Sequence, residues 1–67
     1  MEIMVNGEMI SCKENITLEN LVQELSYEKN KIACEVNGEI VPKAEYAECK
    51  LGPADKLEIV TFVGGGW

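Results

Sequence analysis

The chain has no histidine and no arginine among its 67 residues. Histidine is the side chain that titrates nearest neutral pH and the commonest metal ligand, so its absence removes the usual general base and argues against self-contained catalysis or a resident metal. Six lysines face twelve acidic residues, a formal net charge of −6. That sign repels phosphate backbones and anionic bilayers, which makes nucleic acid and membrane surfaces poor partners. It suits steering toward basic faces of other proteins, although a solvated, solubilising surface gives the same count. There is no apolar run of about 18 residues and no basic segment leading into an apolar one, so the expected setting is cytoplasmic, with reduced thiols.

Cysteine is also sparse. Cys12, Cys34 and Cys49 are odd in number, widely and irregularly spaced, and contain no CxxC pair. Neither a disulfide frame nor a metal site follows from them, and no cofactor is implied. Without a neighbouring His, Arg or clear helix N-terminus to favour the thiolate, each reads as a small, partly apolar filler. A chain of this length forms one domain, because it buries only about 60% of its unfolded surface. A core worth about 3 to 5 kcal/mol is a poor support for a strained active site. A carrier or binding module fits the size better.

What is present is a regular alternation of apolar and polar residues punctuated by turns. Glu2 to Asn6 and Glu8 to Cys12 read as strands joined at Asn6-Gly7, a two-residue hairpin signal. Asn15 or Thr17 can cap a helix of two to three turns, whose core stripe is Leu18, Leu21, Val22 and Leu25. Ile32, Cys34 and Val36 mark a third strand, Asn37-Gly38 a second tight turn, and Glu39 to Val41 a fourth strand ended by Pro42. A short helical turn around Ala44 to Ala47 should bring Tyr46 inward. After the turn cluster Gly52-Pro53-Ala54-Asp55 comes a last strand from Leu57. The order ββαββ, short helical turn, β gives an α+β layer: one mixed sheet of four to five strands with one main helix packed across it. The last strand, apolar on both faces, belongs in the centre beside the first, since an exposed edge would invite aggregation. With Leu57 and Ile59 facing the helix, Val60 and Phe62 point outward as candidate partner-docking residues, with Phe62 under a loop as the alternative.

Gly64-Gly65-Gly66 follow that strand directly and Trp67 closes the chain. Three consecutive glycines maximise the entropy lost on ordering and bring no side chain to pack, so they do not serve stability. They do suit a tail threaded through a narrow channel of a partner enzyme. The expected organisation is a domain over residues 1–63 and a flexible tail over residues 64–67.

Val36-Asn37-Gly38-Glu39-Ile40-Val41-Pro42-Lys43, the aromatic Tyr46, Asp55-Lys56-Leu57-Glu58-Ile59-Val60 and Phe62-Val63-Gly64-Gly65-Gly66 together resemble the ThiS-type sulfur carriers of thiamine biosynthesis, within the ubiquitin-like ThiS/MoaD group. The resemblance spans nearly the whole chain. It implies the ubiquitin-like β-grasp fold and a protein that is a substrate of enzymes rather than an enzyme. It further implies adenylation of the terminal glycine carboxylate by an E1-like, ThiF-type enzyme using ATP. Sulfur relayed from a cysteine desulfurase then gives a thiocarboxylate, delivered to a ThiG-type thiazole synthase. On this chain Gly66 would carry the acyl group, and Gly64, Gly65 and Gly66 would thread the channel.

Two departures stand out. Pro53-Ala54 replaces a more polar turn, and Trp67 lies beyond the family's usual end. While Trp67 remains, the Gly66 carboxyl is locked in an amide, so a peptidase that removes Trp67 is expected. The alternatives are a tolerated Trp67, a carrier for molybdopterin or cysteine synthesis, and a non-covalent ubiquitin-like interaction module whose glycines merely fray.

Overall fold

The computed structural model describes residues 1–62. The expectations placed on Gly64, Gly65, Gly66 and Trp67 therefore lie outside the described residues. In chain order the strands are β1 (Glu2–Val5), β2 (Glu8–Ser11), β3 (Ile32–Val36), β4 (Glu39–Val41) and β5 (Lys56–Thr61). The helix α1 (Leu18–Glu24) lies between β2 and β3, and 3₁₀ turns occupy Lys29–Lys31 and Lys43–Glu45. The sheet runs β2-β1-β5-β3-β4. β1 and β5 are parallel, with Val5 opposite Leu57, and the other neighbours are antiparallel. This is the expected mixed sheet with one helix, and the last strand does lie centrally beside the first.

Both hairpins turn on Asn-Gly. Asn6 and Gly7 have φ of 51° and 82°, Asn37 and Gly38 of 54° and 86°. Positive φ at both central residues is what a type I′ turn requires, and its twist matches that of the flanking strands. A Cβ on Gly38 would meet nothing within 4 Å, so glycine is used there for backbone conformation rather than for room.

Of the two candidate caps, Thr17 is the one used: its Oγ1 accepts from the Asn20 N–H at 3.1 Å. Asn15 instead takes a left-handed conformation, φ 62°, ahead of the helix. The Leu18 N–H donates to the Cys49 carbonyl and the Glu19 N–H to the Tyr46 carbonyl, which satisfies donors that a helix start would otherwise leave bare. The helix has seven residues, the short end of the expectation. It stops because Ser26 turns left-handed at φ 67°, with the Ser26 N–H donating to the Gln23 carbonyl and the Tyr27 N–H to the Val22 carbonyl, a Schellman closure.

The second 3₁₀ turn starts a residue earlier than expected. Pro42 ends β4 and its carbonyl accepts from the Glu45 N–H at 2.9 Å, after which turns continue to Cys49. Between helix and sheet, Ile3, Leu18, Leu21, Val22, Ile32, Cys34, Tyr46 and Leu57 are almost completely enclosed. Each large aliphatic side chain so buried contributes about 1.5–3 kcal/mol. Leu25, the fourth residue of the helical stripe, packs only at the margin of this core.

Candidate functional site

The parity of β5 sorts its residues. Leu57 and Ile59 are buried, whereas Val60 and Phe62 are 55% and 50% exposed. Both expected docking residues thus lie outside the core, next to the point where the chain leaves the sheet. The Phe62 backbone is held: its N–H donates to the Lys31 carbonyl at 2.8 Å. Its ring is half exposed, and the Lys43 ammonium stands 5.6 Å from the ring centroid. Lys43 Nζ also donates to the Ile32 carbonyl at 3.1 Å, so the cation is anchored beside the aromatic face.

Two further apolar residues belong to the same outer surface and were not singled out from the sequence. Ile40 is 72% exposed and Met9 54%. The hairpin registers place Met9 opposite Met4 and Ile40 opposite Glu35, and these partners face away from the core. Because a two-residue turn at Asn37-Gly38 already pairs position 35 with position 40, Ile40 could have been found from the turn alone. Val60 faces Ala33 and Glu58 faces Glu35 across β3 and β5. The outer face is therefore apolar with carboxylates set into it.

Burial disfavours the thiolate at Cys34 and Cys49. All three cysteines are free. Burial pushes the Cys34 thiol above its ordinary range, opposed by a contact with the Tyr46 hydroxyl and by the Lys43 charge. Burial also raises Cys49, and the Asp55 and Glu45 carboxylates add to the effect. Among the described residues no group of three or more His, Cys, Asp or Glu could hold a metal. No helix of these residues is long and apolar enough to cross a membrane. An open hollow of about 670 Å³ beside β4 is lined in part by Glu39, Glu45, Glu48 and Cys49. Three carboxylates with no basic residue make it unsuited to an anionic substrate.

The C-terminal half of β5 is held at both edges. β1 reaches only as far as Leu57, yet β5 continues to Thr61. Beyond Val5, the Asn6 side chain takes over: Oδ1 accepts from the Ile59 N–H at 2.8 Å and Nδ2 donates to the Ile59 carbonyl at 3.3 Å. The Asn6 N–H donates to the Leu57 carbonyl at 2.9 Å. At the other end of the strand, Asn37 Oδ1 accepts from the Lys56 N–H and its Nδ2 donates to Asp55. These arrangements hold a strand and expose a face.

Comparison with known proteins agrees with this geometry. The sequence model of the ThiS family matches residues 3–66. A thiazole synthase of Paramagnetospirillum magneticum is 46% identical over 66 residues, 98% of this chain but 20% of that protein, so the chain spans about a fifth of that relative's length. The sulfur carrier protein ThiS of Bacillus subtilis is 35% identical over 65 residues, covering 96% of this chain and 98% of that one. The crystal structure of the thiamine biosynthesis protein (ThiS) from Geobacter metallireducens superposes with a TM-score of 0.83 at 25% identity, covering 98% of this chain and 100% of that chain.

Proposed function

The chain belongs to the ThiS family, and on that premise we propose that it is a sulfur carrier of thiamine biosynthesis that acts through its C-terminal carboxyl and is itself no enzyme. The observation that carries the reading is the family match ending at Gly66, five residues past a strand that is held from both edges. The Gly66 carboxylate, with an ordinary pKa of about 3.5, is ionised at neutral pH. One of its oxygens attacks the α-phosphorus of ATP on an E1-like, ThiF-type enzyme and displaces pyrophosphate. The terminal sulfur of a relay persulfide, charged by a cysteine desulfurase, then attacks the acyl carbon and displaces AMP. A thiol cleaves the resulting acyl disulfide and leaves a thiocarboxylate on Gly66.

Gly64, Gly65 and Gly66 form the part that passes through the partner's channel, where a Cβ would obstruct. Val60 and Phe62 dock the domain beside that channel. Thiazole synthase is the acceptor, a reading supported by a thiazole synthase that includes a segment similar to this chain. Trp67 lies one residue beyond the family match. Its removal by a peptidase frees the Gly66 carboxyl. The carrier works in the cytoplasm and engages neither nucleic acid nor membrane.

Intact-mass spectrometry tests this sequence of events. After exposure to cell extract the chain should lose the mass of one tryptophan residue. Incubation with ATP, the activating enzyme and a sulfur source should then exchange one oxygen for sulfur. A chain that keeps Trp67 and gains no sulfur under these conditions overturns the reading.

A further inference from the structure

We propose that Asn6 is a positioning residue for the docking end of β5, acting through Ile59 on Val60 and Phe62. The inference rests on the carrier reading above. An Asn-Gly turn accounts for the residue type at position 6, since asparagine tolerates positive φ. It does not account for where the side chain goes. The amide spans 53 positions of sequence to bond both the N–H and the carbonyl of Ile59, and so mimics one residue of a neighbouring strand.

Without that amide, β5 past Leu57 would be held on one edge only. β3 supports the strand through Thr61, and the Lys31 carbonyl takes the Phe62 N–H. On the β1 side, among the described residues, the hydrogen bonds nearest the C-terminal end of β5 are those of the Asn6 amide to Ile59. A one-sided strand is free to twist and fray, and fraying past Ile59 displaces Val60 and Phe62, the docking residues of the reading above. The energetic consequence belongs to presentation rather than to chemistry: a displaced docking face engages the partner less often, but the terminus reacts normally once bound.

Asn37 supplies an internal control. It occupies the same turn type and also bonds β5, but at Lys56, the end remote from the tail. Asn6→Gly and Asn37→Gly each permit the positive φ and remove the amide, and the backbone entropy that glycine adds is common to both.

Two measurements on these variants decide the matter. In the full chain, hydrogen exchange at the Val60 and Phe62 amides should quicken by about tenfold or more in Asn6→Gly and remain near the unaltered rate in Asn37→Gly. In the chain ending at Gly66, ATP-dependent adenylation should show KM for the carrier raised by about fivefold in Asn6→Gly with kcat within about twofold, and neither changed in Asn37→Gly. Equal rises in KM for both variants, or unaltered exchange at Phe62 in Asn6→Gly, overturn the proposal. Should the unaltered Gly66-ended chain form no adenylate, the carrier reading falls, and exchange at Phe62 alone still decides whether Asn6 holds the docking end of β5.

Discussion

Glu35 and Glu58 stand directly opposite one another across β3 and β5, on the face of the sheet away from the helix. Among the described residues the ion pairs are Lys29–Glu19 and Lys31–Glu28, so neither carboxylate of the cross-strand pair is neutralised by a salt bridge. Like charges in directly opposed positions destabilise a sheet. Glu58→Gln should therefore stabilise the domain by about 0.2–1 kcal/mol, and adding Glu35→Gln should give little more. Urea midpoints of the two single variants and the double variant measure the coupling. On a carrier that docks this face against a basic partner, Glu58→Gln should also slow association at low salt and lose that effect at high salt.

Phe62 and Val60 lend themselves to a separation of stability from binding. Half-exposed as they are, truncating Phe62 to Ala should shift the urea midpoint little. If this face meets the activating enzyme or thiazole synthase, the same substitution should weaken binding by about tenfold or more, measured by calorimetry or by KM in adenylation. Unchanged affinity for both enzymes would remove Phe62 from the docking surface.

Tyr46 is fully enclosed, and its hydroxyl has no hydrogen bond of good geometry, with the Cys34 thiol as a weak polar neighbour. Tyr46→Phe should thus leave stability within about 1 kcal/mol of the original, whereas Tyr46→Ala should cost about 3–5 kcal/mol through the cavity it opens. Burial, then the Cys34 contact, pushes the hydroxyl up to about 12. Unfolding returns it to about 10. Its neutral form is favoured in the folded state, so that contribution is complete below about pH 10 and is lost as pH rises toward 12. Urea midpoints from pH 9 to 11 should fall less steeply in Tyr46→Phe.

The cysteines give a chemical readout of the same core. With Cys34 fully enclosed and its thiolate disfavoured by burial, iodoacetamide at pH 8 should label it in the folded chain far more slowly than in urea. Cys49, also raised but less enclosed, should react at an intermediate rate. Peptide mapping of time points distinguishes them, and rapid labelling of Cys34 in the native protein would contradict the packing described.

Much of this architecture is readable from local pattern. Alternation along Ile32, Cys34 and Val36, the helical spacing of Leu18, Leu21 and Val22, and two Asn-Gly pairs suffice for the elements and their order. The apolar character of β5 on both faces is enough to place it centrally. The helix end is not readable in the same way, because Ser26 performs a closure that usually advertises itself with glycine. Nor is the choice of Thr17 over Asn15, since both can cap and the decision depends on how Ile16 enters the core. Of the site, Val60 and Phe62 follow from strand parity. The Asn6 clamp does not, because local reading of Asn6-Gly7 sees a turn and stops, while the amide's partner lies at Ile59, beyond every other element of the fold.

The parallel pairing of Val5 with Leu57 has a consequence for folding. The central strand is the last to be added along the chain, so the sheet closes only through contacts between segments far apart in sequence, a topology that slows folding. If β5 is removed, what remains of the sheet is β2-β1 and β3-β4, two separate hairpins of a kind marginally stable in water. A chain clipped or misfolded within β5 therefore loses the strand that joins its two hairpins and is left open to proteolysis.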